Sequence, residues 1–298
     1  MKRLLLALLL VWLTASAQTQ APTATKPAPV KYGHNPAAGR YFTHDGIKLY
    51  YEVYGSGEPL LVIHGNGGSI FDLSAQIAYF RQHYKVIAMD SRDHGKSADS
   101  PDNLTYEKMT DDLDALLTHL HPGPAYVLGW SDGGIESLLL AVRHPDKVKK
   151  VASMAANFNP TEDAIYPETI GLVKKLMADM PAAERDTPQG RREIKVTSMM
   201  LVEPNVDLQL LESIQVPTLV LASDHDLIRD EHTLAIYHHI PNSQLAIFPN
   251  ATHMIPFDDP ATFNATVARF FRTPFVKKDR VQEVINSIGK IKAQEPKD

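Results

Sequence analysis

The chain has no cysteine, and that one absence removes disulfides, thiolate metal centres, iron–sulfur clusters and cysteine nucleophiles together. Any nucleophile must be an oxygen or a nitrogen. An excess of positive charge is missing too. The 30 Lys and Arg against 35 Asp and Glu give a net charge of -5, the wrong sign for a surface that grips a phosphate backbone, so nucleic acid is excluded as the main partner. Beyond the first residues no apolar run approaches the roughly 20 residues that a membrane-spanning helix needs. What is present is hydrophobic sequence, 44% of 298 residues, enough to fill one large core.

Lys2 and Arg3 precede an apolar run from Leu4 to Leu13, and Thr14, Ala15, Ser16 and Ala17 follow as a small-residue cleavage signal. Residues 1–17 therefore read as a secretory leader cut after Ala17, which sends the protein to the periplasm or out of the cell. The run is too short to stay behind as a membrane span. Residues 18–38, rich in Pro, Thr, Ala and Gln, read as a stiffened linker. The folded domain is expected over residues 39–276, with a charged helical tail over 277–298. In that tail Val281, Val284, Ile285 and Ile288 share one helix face. The spacing predicts a short helix ending near Gly289 that docks on the body or frays.

Within the domain, Arg40 to Thr43 and Ile47 to Tyr54 flank the turn His44-Asp45-Gly46 as a half-buried hairpin. Leu60 to His64, Lys85 to Asp90, Ala125 to Trp130, Val148 to Met154 and Thr218 to Ala222 are short, nearly unbroken apolar runs, as strands buried on both faces require. Leu73 to His83, Tyr106 to Leu120, Ile135 to His144 and Glu231 to Ile240 carry the helical period. Strand and helix alternate, which predicts an α/β fold with a doubly wound, mostly parallel sheet. The alternation stops at about 157–204, a Pro-, Met- and charge-rich stretch with helical spacing such as Thr169 to Asp179, read as an inserted helical cap.

Gly129-Trp130-Ser131-Asp132-Gly133 is a G-x-S-x-G sequence at the junction of a buried strand and a helix. A sharp turn there lifts the serine Oγ above the sheet, and flanking glycines make room for it. Serine is a poor nucleophile unaided, so it demands a histidine base held by an acid, in the chain order Ser, Asp or Glu, His. Thr218 to Ala222 runs into Ser223-Asp224-His225-Asp226, which nominates Asp226 as the acid with Asp224 as its rival. Gln244 to Phe248 opens into a loop that presents His253 as the base. Backbone donors for an oxyanion are expected from Asp132 and from the loop His64-Gly65-Asn66-Gly67-Gly68, with Asn66 first and Gly65 second. His64, His94, His225, His232, His238 and His239 read as structural or exposed.

Over residues 40 to 272 the chain resembles the α/β-hydrolases of esterase, lactonase and C–C hydrolase type. The resemblance lies in the HG-x-G loop, in Asp90-Ser91-Arg92-Asp93-His94-Gly95-Lys96-Ser97, in the nucleophile elbow and in the acid and histidine loops. Its GWSDGG elbow is similar to biphenyl hydrolase-like and valacyclovir hydrolase-like members. The family usually has Gly where Asp93 stands. The resemblance implies a triad of Ser131, Asp226 and His253, a cap over the pocket and a small-molecule acyl substrate, with neither metal nor organic cofactor. Asp132, beside the nucleophile, suggests a preference for a cationic group near the acyl carbon. A cofactor-free haloperoxidase or perhydrolase would use the same residues, and a small-ligand-binding protein could keep the fold without turnover.

Overall fold

A computed structural model describes residues 30–294. Its centre is an eight-stranded sheet in the order β1-β2-β4-β3-β5-β6-β7-β8. The strands are β1 (Gly39–His44), β2 (Ile47–Tyr54), β3 (Glu58–Ile63), β4 (Tyr84–Asp90), β5 (Ala125–Trp130), β6 (Val148–Met154), β7 (Thr218–His225) and β8 (Ser243–Thr252). β1 and β2 form the antiparallel hairpin, β2 joins β4 antiparallel, and all later pairings are parallel. The unbroken apolar runs are therefore central strands covered on both faces.

Helices α1 (Ser74–Phe80) and α9 (Pro260–Arg272) cover one face. There Ile77, Phe80, Phe263, Val267 and Phe271 pack with Leu60, Val62, Val86 and Leu128. Helices α2 (Tyr106–Leu120), α3 (Asp132–Arg143) and α7 (Asp230–His239) cover the other, where Leu113, Leu116, Ile135, Leu138 and Ile236 meet Leu61, Ile87 and Val127. α2 starts where the Thr105 side chain accepts the Lys108 N–H and stops at His121 in a left-handed conformation. The chain passes from β3 outward to β4 and then returns across β3 to β5. That reversal opens a crevice between the ends of β3 and β5, the position where open α/β sheets bind ligands.

Between β6 and β7 the cap is built from α4 (Pro167–Asp179), α5 (Ala182–Arg185) and α6 (Pro188–Met199), with no regular strand among them. After β8 the short α8 (Ile255–Asp258) leads into α9.

Two boundaries differ from the sequence reading. Residues 1–17 and most of the linker lie outside the described residues, but 31–38, expected to belong to the linker, pack on the body. Their anchor is Glu52, a fully buried carboxylate on β2. It accepts the Gly33 and Asn35 N–H groups at 2.7 and 3.1 Å and the Tyr50 and Tyr54 hydroxyls at 2.6 and 2.7 Å. Composition read this stretch as linker because the acceptor that orders it lies in another strand. At the other end α10 (Arg280–Ala293) passes straight through Gly289, since one interior glycine costs only about 1 kcal/mol. Its apolar face stays in solvent, with Val281, Val284, Ile285 and Ile288 all about half exposed or more. Among the described residues no helix is long and apolar enough to cross a membrane.

Replacing Glu52 with Leu strands three buried donors and one half-buried donor at once and should lower unfolding free energy by about 3 kcal/mol. Residues 31–38 should become the first site of limited proteolysis. An unchanged denaturation midpoint and cleavage pattern would mean that the carboxylate is not the anchor.

Candidate active site

Ser131 ends β5 and opens α3 with φ 56° and ψ -120°, a conformation that L residues occupy only when the surroundings enforce it. The surroundings do so. Its N–H donates to the Met154 carbonyl on β6 at 2.9 Å, and its carbonyl accepts Gly134 and Ile135 N–H groups at 2.7 and 3.2 Å. A side chain on Gly129 would overlap the Gly133 carbonyl, and one on Gly133 would overlap the Ile63 carbonyl of β3. The turn is tight because strand, helix and neighbouring strand touch through bare backbone.

The structure brings Ser131, Asp226 and His253 together at the ends of β5, β7 and β8. The Ser131 Oγ lies 3.0 Å from His253 Nε2, and His253 Nδ1 lies 2.7 Å from Asp226 Oδ1. Asp226 also accepts the N–H groups of Leu227 at 2.7 Å and Ser223 at 3.2 Å, which fix the carboxylate. Asp224 faces elsewhere and accepts the Asn250 and Ala251 N–H groups at 2.7 and 3.0 Å. Those bonds hold its carboxyl below the usual range and shape the loop that leads to His253. Trp130 completes the frame, its Nε1 donating to the His253 carbonyl at 2.8 Å.

Asn66 and Asp132 sit on the other side of the serine. Among the described residues neither backbone N–H has a protein acceptor. The Asn66 side-chain amide donates to Asp132 Oδ2 at 2.9 Å and to the Val196 carbonyl of α6 at 3.0 Å. The Tyr106 hydroxyl donates to Asp132 Oδ1 at 2.8 Å. Burial pushes the Asp132 carboxyl up despite these two donors. Glu136, one turn further along α3, is fully buried with neither oxygen bonded, and burial lifts its carboxyl well above the ordinary range.

Two cavities meet at Ser131 and His253. The inner one is lined by Ile165, Ile170, Val173, Leu201, Leu227 and Ile228 with Asp132 and Glu203 as its carboxylates. Neither of these acids has a cationic partner among the described residues. The outer one is a wider cleft between α4 and α6, with Leu172 and Leu176 on one wall and Gln189, Arg192 and Glu193 on the other. Tyr106, Trp130 and Glu203 are site residues that sequence reasoning did not reach. Only Trp130, inside the elbow motif, carried a local signal.

The remaining histidines are structural where they are buried. His64 donates from Nδ1 to the Gly65 carbonyl at 2.8 Å while its Nε2 accepts the Ser91 N–H at 3.1 Å, tying the loop after β3 to the loop after β4. His232 accepts the Phe158 N–H on Nε2 at 3.0 Å at the base of the cap. Burial pushes His64, His94 and His232 down to about 4, with the nearby His64 ring adding to the effect on His94.

A mostly parallel, doubly wound sheet with a serine on the strand-to-helix turn, an aspartate and a histidine after its last two strands and a helical cap above is the architecture of an α/β-hydrolase. Comparison with known proteins agrees. A profile of the alpha/beta hydrolase fold family matches residues 58–180, which run from β3 through the elbow into the cap. The serine hydrolase BPHL of Mus musculus is 27% identical over 250 residues, spanning 76% of this chain and 84% of that protein. The 3-oxoadipate enol-lactonase 2 of Acinetobacter baylyi is 27% identical over 253 residues, spanning 76% of this chain and 93% of its own length. The crystal structure of the enol-lactonase from Burkholderia xenovorans LB400 superposes with a TM-score of 0.66 at 20% identity, over 78% of this chain and 100% of that one. The chain has the α/β-hydrolase fold, and these relatives, which it resembles along most of its length, are hydrolases.

The buried imidazoles give the protein an acid limit. His232 is neutral when folded and takes up a proton near pH 6.5 once unfolded, so its contribution is intact above about pH 6.5 and lost as the pH falls towards 4. In urea titrations the stability of the wild type relative to His232→Gln should drop by about 2 kcal/mol between pH 7 and pH 5. A difference independent of pH would mean that the ring is free to charge inside the fold.

Proposed function

We propose that the chain is an exported serine hydrolase that cleaves a carboxylic ester, thioester or lactone of a small molecule. The observation that carries the reading is the continuous hydrogen-bonded chain from Ser131 Oγ through His253 to Asp226, opening on an apolar pocket. Export rests on the leader sequence at residues 1–17.

In this scheme Ser131 Oγ attacks the acyl carbon and its proton passes to His253 Nε2. Asp226, bonded to Nδ1, fixes the tautomer and stabilises the imidazolium. The oxygen that gains charge accepts the Asn66 and Asp132 N–H groups, neither of which is engaged by a protein acceptor among the described residues. The acyl–oxygen or acyl–sulfur bond then breaks, and the leaving group departs with the proton from His253. Water, deprotonated by the same ring, attacks the acyl-enzyme, and Ser131 leaves as the protonated hydroxyl. The sequence of steps needs neither a metal nor an organic cofactor.

The substrate divides between the two cavities. A compact apolar acyl group suits the inner pocket, and the wider cleft suits a larger, more polar leaving group. Two carboxylates without cationic partners line the acyl side, so a cationic group on the acyl moiety should be favoured.

Two measurements test the reading. The mature protein should gain one adduct mass with a fluorophosphonate probe, Ser131→Ala should gain none, and ester turnover should fall at least about 10⁴-fold in that variant. A folded wild type that gives no adduct at neutral pH would favour a non-catalytic binding protein, and peracid formation from acetate and hydrogen peroxide would favour a perhydrolase. Secondly, Asp132→Asn should shrink the preference for aminoacyl over plain acyl esters by about tenfold. Unchanged discrimination would dispose of the charge argument.

A further inference from the structure

Asp93 stands in the loop after β4 with φ 62°, a left-handed conformation that glycine adopts freely and an aspartate only under constraint. Its side chain is 1% exposed, so neither backbone freedom nor solvation explains the residue. Its contacts do. Oδ1 accepts the Ser100 N–H at 3.1 Å, Oδ2 accepts the Ser100 hydroxyl at 2.6 Å, and the Lys195 ammonium lies 2.8 Å from Oδ1. Lys195 belongs to cap helix α6. Its two other bonds go to the Ser100 carbonyl and hydroxyl at 2.7 and 2.8 Å, so all three ammonium hydrogens are used. One turn earlier on the same face, Arg192 pairs with Asp99. The loop after β4 is thus fastened to α6 by side chains three residues apart, which share one helix face.

The residue that follows Lys195 links this latch to the chemistry. The Val196 carbonyl accepts one hydrogen of the Asn66 amide, and the other goes to the carboxylate of Asp132. Asn66 and Asp132 are the two nominated oxyanion donors, and among the described residues neither backbone N–H has a protein acceptor. A single amide therefore spans the cap, the loop after β3 and the first turn of α3.

We infer that the Asp93–Lys195 ion pair is a latch that positions α6, and through the Val196 carbonyl and the Asn66 amide sets the two oxyanion donors, so that seating of the cap tunes acyl transfer. The inference rests on the serine-hydrolase reading above. Asp93 and Lys195 touch no reacting atom and act as positioning residues. The cap so positioned governs the rate of acylation as well as access to the pocket.

Lys195→Met removes the ammonium while keeping much of the stem, and Asp93→Gly removes the carboxylate while relieving the left-handed backbone, so the second variant is expected to fold even if the first does not. Each should slow phosphonylation of Ser131 by a fluorophosphonate and lower kcat for p-nitrophenyl butyrate by about 10- to 100-fold. KM should change little, because so small an ester needs no room from the cap. The double variant should be no slower than the worse single one. In an Asn66→Ala background, which keeps the backbone N–H but cuts the connection, Lys195→Met should add less than about twofold. Lys195→Arg should recover part of the rate.

Three results would overturn the latch: wild-type phosphonylation rates in both folded variants, a change confined to KM, or an undiminished Lys195→Met effect in the Asn66→Ala background. Each requires that the wild type itself forms the adduct. A wild type that forms none overturns the serine-hydrolase reading instead, so the two failures are distinguishable.

Discussion

The structure is organised around one strained turn. Ser131 occupies a positive φ between a buried strand and a helix buried from Asp132 to Ala141, and the positions of β3, β5, β6 and α3 follow from what that turn requires. Gly129 and Gly133 let strand and helix meet backbone to backbone, and Met154 of β6 takes the serine N–H. Such strain persists only where the surroundings leave the chain no alternative. Here they are the centre of an eight-stranded sheet with an apolar layer on each face.

That dependence explains why so much was legible in the sequence. A buried strand leading into a glycine-flanked serine is a local pattern, and β2, β5, β6 and α2 begin and end at the residues that periodicity gave. β7 and β8 extend three and four residues beyond their expected ends, to His225 and Thr252. Most of the added residues are polar or proline, and His225 pairs with Thr252, so hydrophobicity could not mark them. The choice between Asp224 and Asp226 was open in sequence, where both follow the same strand. The bonds of Asp224 to the Asn250 and Ala251 N–H groups separate the two geometrically.

What remained hidden depends on contacts between distant segments. Composition assigns residues 31–38 to a linker, yet Glu52, on another strand, supplies the acceptor that orders them. The tail helix α10 has the periodicity of a docked element but no complementary face on the body that covers it. Lys195 and Glu203 come from a cap whose sequence states only that it is helical and rich in methionine. Asn66 was nominated for its backbone N–H, while its side chain turns out to join three separate parts of the molecule. Periodicity finds elements and motifs find local geometry, but a side chain that bridges segments 130 residues apart leaves no mark in either.

The shared wall of the two cavities has a consequence for the order of events. Ser131, His253, Thr169, Val173, Met200 and Leu227 line both, so a molecule bound across the serine occupies the inner pocket with one half and the outer cleft with the other. On the acyl-enzyme reading, the half in the outer cleft departs first and leaves behind it the space through which water reaches the ester bond. The acyl half stays enclosed until that water has reacted. The covalent acyl-enzyme sets the order of release, alcohol before acid, and the shape of the cavity adds a second constraint: a poorly departing alcohol would block hydrolysis by occupying the water's route.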